Sequence, residues 1–310
     1  MKTSIFSYCT NIIVAAATIF SLIGYLGDYH WLFDLFSHFK FQYVLILGLG
    51  IVILAMLKEK KAYLYLPFLL LNIYEVAPIY FGETSPTKLN ATCKIVCINV
   101  LSSNRSYDAV KQYLNKTSAD IIILQEFNQT WQDELASYLI TYPHQLLLPR
   151  SDNFGMAIYS KTEFSTLKKT QLANMQIPSI VGDFKINGQS VKLLATHTLP
   201  PVGQERFNKR NQHLNAIAKY TTSTSSDLIV IGDLNTSSYS NHFKQLLSNS
   251  NLKDSRKSFG ILPTWPTGLS LAYTTLDHCL VSENVIVTNR ETGNFIGSDH
   301  LPIFVEIGLK

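Results

Sequence analysis

Several short apolar runs in this chain begin or end on a residue suited to phosphate or metal chemistry. In Leu228 to Asn235, which reads Leu-Ile-Val-Ile-Gly-Asp-Leu-Asn, four apolar residues rich in β-branched side chains are stopped by Gly232. That is the pattern of a buried strand delivering polar groups at its edge. Residues two apart on an extended chain face the same way, so Asp233 and Asn235 set a carboxylate beside a carboxamide. The carboxylate can hold a divalent cation or orient a water, and the amide offers a donor and an acceptor to a phosphate or to that water. Gly, Asp and Asn are also common turn formers, so this stretch alone reads equally as a strand running into a turn. Asn99, Glu126 and His197 close other runs, Asp277 sits within a later one, and Asp299-His300 directly precedes the last. Each has a plain structural account: a turn residue for Asn99, a helix N-terminal acid for Glu126, a satisfied half-buried histidine for His197, a turn or cap acid for Asp299. Those accounts do not explain why all of them fall at strand ends.

The elements that must position these residues alternate between strand and helix. Lys94 to Val100, Asp120 to Gln125, Met156 to Ser160, Ser179 to Ile186, Ser190 to His197, Leu228 to Leu234, Thr275 to Val281 and Leu301 to Ile307 read as strands. Tyr107 to Thr117 and Gln204 to Tyr220 read as amphipathic helices. Asn187-Gly188 is a hairpin turn joining two of the strands. Alternation combined with a hairpin predicts an α/β fold of mixed sheets with helices outside, not a purely parallel sheet.

Composition divides the chain. Residues 1–82 hold five basic and four acidic side chains, against 21 and 18 in residues 83–310. The first part is therefore nearly apolar, while the remainder has a net charge of only +3, too small to argue for a nucleic-acid partner by electrostatics. Three apolar runs, Asn11 to Leu26, Phe41 to Leu57 and Ala62 to Phe81, each approach the length that spans a hydrocarbon core of ~30 Å, so three transmembrane helices are expected in place of a cleaved signal. Lys58, Lys60 and Lys61 lie between the second and third runs, whereas Asp28 and Asp34 lie between the first two. The positive-inside rule then puts the lysines and the N-terminus in the cytoplasm and the rest of the chain on the far side, which in a bacterium is outside the inner membrane. Asn72, Glu75 and Pro78 interrupt the third run, and an ionisable group within a span demands a function or a partner. Residues 83–91, with Pro86, read as a linker, and residues 92–310 as the soluble domain. Cys9, Cys93, Cys97 and Cys279 show no zinc-ligand spacing. Cys93 and Cys97 share one strand, too far apart to be bridged, so free thiols are expected.

The pieces Ile98-Asn99, Leu124-Gln125-Glu126, Gly155 to Ser160, Ala195-Thr196-His197, Ile231 to Asn235, Leu276-Asp277-His278 and Gly297 to His300 together resemble the endonuclease/exonuclease/phosphatase superfamily, over roughly residues 92–308. This is the fold of DNase I-like and exonuclease III-like nucleases, neutral sphingomyelinases and inositol-polyphosphate 5-phosphatases, and a membrane-anchored bacterial branch is the nearest likeness. The resemblance implies a four-layer α/β/β/α sandwich with its active site at one edge. It implies that Glu126 binds Mg²⁺ or Mn²⁺ with Asn99 close by, and that Asp299 binds metal directly or through water. By the same resemblance Asp233 would orient and help deprotonate the attacking water, and Asn235 would fix water or phosphate. His300 would contact the scissile phosphate or share acid-base work, with Asp277 holding its tautomer. His197 matches a histidine that acts near the leaving group in the DNase I and sphingomyelinase branches.

Two departures narrow the substrate. Thr274-Thr275-Leu276 stands where an arginine often precedes the Asp277 motif, and the Trp-Cys-Asp-Arg signature of inositol 5-phosphatases is absent. Arg206 and Arg210, four apart on one helix, are candidates for a second phosphate contact, or for a solvated helix face. Trp265 is placed to stack a base, touch lipid or pack. The expected activity is metal-dependent hydrolysis of a phosphodiester or phosphomonoester carried by nucleic acid or a lipid headgroup. The rival expectation is an inactive adaptor that keeps the fold, against which every acidic and histidine position carries a chemically competent residue.

Overall fold

Runs such as Ile121 to Leu124 and Leu228 to Ile231 have no polar face, so they need cover on both sides. They obtain it in the middle of two six-stranded sheets. The computed structural model describes residues 2–82, 89, 91–173 and 175–310; most of the expected linker, residues 83–88 and 90, lies outside the described residues. In chain order the strands are β1 (Cys93–Asn99), β2 (Ile121–Gln125), β3 (His144–Leu148), β4 (Met156–Ser160), β5 (Phe164–Gln171), β6 (Pro178–Ile186), β7 (Gln189–Thr196), β8 (Asp227–Asp233), β9 (Lys253–Asp254), β10 (Asp277–Val281), β11 (Val285–Thr292) and β12 (Ile303–Leu309). The helices are α1 (Lys2–Ile23), α2 (Trp31–Ser37), α3 (Lys40–Met56), α4 (Leu66–Val76), α5 (Tyr107–Thr117), α6 (Gln129–Ala136), α7 (Gln204–Thr222) and α8 (Asn241–Ser250).

One sheet runs β11-β12-β1-β2-β4-β3 and the other β5-β6-β7-β8-β10-β9. The β1–β2 and β7–β8 pairs are parallel and their neighbours antiparallel, so both sheets are mixed, as expected. Ile95, Ile123, Leu193, Ile231 and Val305 fill the space between the sheets. Val110, Leu114 and Trp131 of α5 and α6 cover the outer face of the first sheet, and Leu214, Ile217 and Phe243 of α7 and α8 that of the second. Fully burying each such side chain contributes roughly 1.5–3 kcal/mol. That apolar core is what lets the strand ends carry closely spaced carboxylates and imidazoles at a cost in stability.

The parallel pairs send the C-terminal ends of β1, β2, β7 and β8 to one edge, and antiparallel β10 starts there. The register sets Asn99 beside Gln125 in one sheet and Asp277 opposite Asp233 in the other. Gln125 ties the sheets together at this edge: its Nε2 donates to the Thr196 carbonyl at 2.8 Å, and its Oε1 accepts from the Asp233 amide at 2.9 Å. Gly232 makes room for that tie. At φ +143° a Cβ on it would stand 2.0 Å from the Thr196 oxygen and 2.5 Å from Gln125 Nε2.

The N-terminal helices depart from expectation. Among the described residues, two helices, Ile5–Leu26 and Lys60–Tyr80, are long and apolar enough to cross a membrane, where three transmembrane helices were expected. The middle run forms α3, which joins α2 across a bend of 60°, and only this pair counted as one gives a third. Its break has a cause. Asp34, Ser37 and His38 are polar and buried, and the Asp34 carboxylate and the His38 carbonyl bond the α/β part. Asn72, a problem for a lone span, accepts from Ser21 Oγ at 2.8 Å between helices. Glu75 pairs with Lys244 of α8 at 2.6 Å, at the end of its segment nearest the α/β part. The cysteines are all free, with Cys9 exposed and Cys93, Cys97 and Cys279 buried.

Candidate active site

Asp233 ends β8 fully inside the sandwich edge, and four groups converge on its carboxylate. Its Oδ1 accepts from the Asn235 amide at 2.8 Å, while Oδ2 lies 3.5 Å from Asn99 Nδ2, 3.5 Å from His197 Nε2 and 3.7 Å from His300 Nε2. Burial acts to raise this carboxyl, but His300 and His197 with the Asn235 amide hold it below the usual range. His300 Nδ1 meets Asp277 Oδ2 at 2.8 Å. Burial acts to lower this imidazole, yet Asp277 and Asp233 together lift it to about 10, so it is cationic at neutral pH. The Asp277 amide donates to Thr264 Oγ1 at 3.2 Å, which fixes the strand start that carries the pair.

Asn235 takes a left-handed backbone, φ +47°, as Asn does more readily than most residues. Its Nδ2 donates to the Thr198 carbonyl at 2.9 Å, and its Oδ1 accepts no bond among the described residues, so that oxygen is available to a water. Glu126 also lies at positive φ, +56°, a conformation that costs of order 1–3 kcal/mol for such a residue. The turn swings its carboxylate back toward β1, where Oε1 accepts from Asn99 Nδ2 at 3.1 Å and Oε2 from the Ser102 amide at 3.3 Å. Burial raises the Glu126 carboxyl in spite of His197 and those two bonds.

Asp299 accepts from Trp265 Nε1 at 3.3 Å through Oδ2, while its Oδ1 is buried with no hydrogen-bond partner among the described residues. An orphaned carboxylate oxygen lining the same pocket as the buried Glu126 carboxylate supplies oxygen donors of the kind a hard divalent cation takes, while Asn99 turns its Nδ2 to Glu126 and Asp233 and its Oδ1 to the Leu101 amide at 3.1 Å. Asp233, Asp277 and His300 also present donors within 4.8 Å of one another. That trio is already joined internally by the His300–Asp277 bond, so it reads first as an acid-base cluster. Outside that trio the pocket's other carboxylates include Glu126 and Asp299.

A pocket of about 540 Å³ opens over these groups, lined by Glu126, His197, Asp233, Asn235, Asp299 and His300. Arg206 reaches its wall, whereas Arg210 does not. The expectation that Arg210 meets a substrate phosphate is corrected: one helical turn further along α7 it is 0 % exposed, paired at 2.6 Å with Asp34 of α2. Leu35 and His38, from the connection between α1 and α3, also line the pocket, with Trp265 and Phe154. Sequence reading assigned no role to Leu35, His38 or Gln125. The one signal for α2 was an acid and a histidine four apart, Asp34 and His38, in an otherwise apolar and aromatic stretch.

Residues 96–300 match the profile described as the Endonuclease/Exonuclease/phosphatase family. The chain belongs to that family. Three family-like structures share its fold at low identity. D. rerio TDP2 complexed with single strand DNA product is 15 % identical, covering 70 % of this chain and 99 % of its own with a TM-score of 0.60. The endonuclease/exonuclease/phosphatase from Bacteroides vulgatus is 19 % identical, with 71 % and 99 % covered and a TM-score of 0.58. An endonuclease/exonuclease/phosphatase family protein from Leptotrichia buccalis is 17 % identical, with 70 % and 100 % covered and a TM-score of 0.55. No curated protein matches this chain. The family match spans every candidate site residue from Asn99 to His300, and leaves the N-terminal helices, with Leu35 and His38, outside it.

Proposed function

We propose that this chain is a membrane-anchored, divalent-metal-dependent phosphoester hydrolase. Residues 1–82 are its anchor, 83–91 the link and 92–310 the catalytic domain. The observation that carries the reading is the hub at Asp233, with His197 and His300 beside it, Glu126 and Asp299 lining the same pocket and Asn99 buried against Glu126. Glu126, Asp299 and Asn99 would hold Mg²⁺ or Mn²⁺, which when bound neutralises charge on phosphate oxygens and on the leaving oxygen. Asp233 orients the attacking water and draws its proton, with Asn235 Oδ1 accepting the second hydrogen. Cationic His300, held by Asp277, donates from Nε2 to a phosphate oxygen. His197 stands on the leaving-group side.

Anchoring is supported by the outward side chains of the N-terminal helices, among them Ile12, Ile19, Leu49, Val52 and Leu70, which are exposed and apolar. Gln42 near the start of α3 bonds the Tyr273 carbonyl, so Lys58, Lys60 and Lys61 follow the far end of that helix, and the positive-inside rule then supports a catalytic domain outside the cytoplasm, in a bacterium beyond the inner membrane.

Of the two substrate classes, a lipid-borne phosphoester fits better than nucleic acid. Leu35 and His38, lying between two apolar helices, form part of the pocket wall, so the pocket stands within a short chain connection of the bilayer. Arg206 is the single lysine or arginine among the described lining residues, and Arg150 is already paired with the lining residue Asp152, a poor match to a polyanionic strand. A nuclease reading keeps one supporting feature, the Trp265 ring in the pocket wall, which could stack a base.

The test uses the full-length protein in mixed micelles with Mg²⁺, offered DNA, RNA, sphingomyelin and phosphorylated lipids. Hydrolysis of a lipid headgroup ester that stops with chelator and returns with Mg²⁺ is expected. Hydrolysis of nucleic acid alone would replace the lipid assignment, and inactivity on every substrate would leave the adaptor reading.

A further inference from the structure

We propose that Asp34, a residue of the juxtamembrane helix α2, is a positioning residue of the active site, so that the anchor is a working part of the catalytic centre. Asp34 is 0 % exposed, and each of its oxygens holds one end of the loop that carries Asn235. Oδ2 accepts from Arg210 Nη2 at 2.6 Å, and Arg210 Nη1 donates to the Asn235 carbonyl at 2.9 Å. Oδ1 accepts from Ser240 Oγ at 2.6 Å, and Ser240 caps the N-terminus of α8 by accepting from the His242 amide. The loop from Leu234 to Ser240 is thus gripped at its first turn through Arg210 and at its last residue directly.

The grip falls where the backbone needs it. Asn235 is held at φ +47°, and its carbonyl is the acceptor that Arg210 fixes, two residues from Asp233. A shift of the loop moves the Asn235 carboxamide away from the position set by the Asp233 and Thr198 bonds. Arg210 cannot hold this position unaided. It is fully buried, its Nε is used by Asn211 Oδ1 at 2.7 Å, and Asp34 is the carboxylate that neutralises it. Removing one partner of a buried ion pair leaves an uncompensated charge. A separate contact across the same junction, Glu75 with Lys244, is half-exposed on the lysine side and leads to the exposed part of α8, not to the site.

The inference rests on the hydrolase reading for one of its readouts and is independent of it for the other. In full-length protein in detergent, Asp34→Asn is expected to lower kcat by about 10- to 100-fold, with KM within about 3-fold, as for loss of a group that orients a catalytic residue. Hydrogen exchange of the 234–240 amides should quicken in the same variant while β1 and β2 stay protected. Glu75→Gln, which loosens the junction elsewhere, should leave both readouts at the native level.

Because Asp34→Asn strands a buried guanidinium, the double variant Asp34→Asn with Arg210→Gln is also measured. It removes both charges, so its unfolding midpoint should recover while kcat stays low. Recovery of kcat together with stability, native kcat in Asp34→Asn, or native exchange at 234–240 would each overturn the proposal. Should the native protein hydrolyse no phosphoester, the function reading fails, and the exchange comparison still decides the role of Asp34.

Discussion

Asp233 receives contacts from both sheets and from two imidazoles, so small changes to it and to its neighbours separate their roles. Asp233→Asn keeps the size and the Asn235 contact but cannot take a proton, and kcat is expected to fall by about 10³-fold or more, with the fold intact by circular dichroism. Asp277→Asn removes the larger of the carboxylate contributions that lift His300, and a loss of about 10²-fold in kcat is expected with little change in KM. Equal kcat in native and Asp277→Asn proteins would remove His300 from the chemistry. These residues were legible before the structure because each sits at or beside one end of an apolar run, Asp233 closing β8, Asp277 opening β10 and His300 shortly before β12. Arg210 was misread for a physical reason: a four-residue spacing puts it on the same helix face as Arg206, but the next turn of α7 lies under α2. No pattern local to α7 reports a partner 176 residues away.

Among the elements, the junction of the two sheets is the most exacting place. Gly232→Ala should destabilise by several kcal/mol, on the order of 3 or more, since both the close carbonyl and the backbone angle forbid a Cβ. Unfolding by denaturant in micelles would show it, and a native midpoint would contradict the tie through Gln125. A second element-level check concerns β9. Burial acts to raise the Asp254 carboxyl, but Arg256, donating to it at 2.6 Å, holds it at about 2. A carboxylate held below its unfolded value near 4 stabilises the fold above that value, and the contribution is lost as pH falls from about 4 to about 2. Stability should drop by roughly 2 kcal/mol over that interval from this pair, and Asp254→Asn should flatten the slope while costing about 3 kcal/mol at neutral pH. Central strands such as β2, β4 and β8 were legible because burial on both faces demands unbroken apolar runs. Edge strands were not: β5 alternates Ser165, Lys168 and Lys169 with few apolar residues, and β3 pairs on one side only. Helix α8, rich in Asn and Ser, likewise shows its buried stripe of Phe243 and Leu246 only against α7.

For the whole molecule, the consequence is that the N-terminal helices and the α/β part share a surface beside the candidate site. The apolar N-terminus was plain in composition, but its break at residues 38–39 was not, because the polar groups of α2 are satisfied by residues far along the chain. A reporter fusion after Thr87 should show phosphatase activity and no cytoplasmic fluorescence; the reverse result would move the catalytic domain to the cytoplasm. The measurement that bears most directly on the hydrolase reading is the Mg²⁺ dependence of phosphoester hydrolysis by full-length native, Glu126→Gln and Asp233→Asn proteins. Activity should be abolished in excess chelator, Glu126→Gln should require at least about 10-fold more Mg²⁺ for half-maximal rate, and Asp233→Asn should lower the plateau without moving that midpoint. Hydrolysis that persists in chelator, or identical curves for all three proteins, would contradict a metal-assisted centre built on these residues.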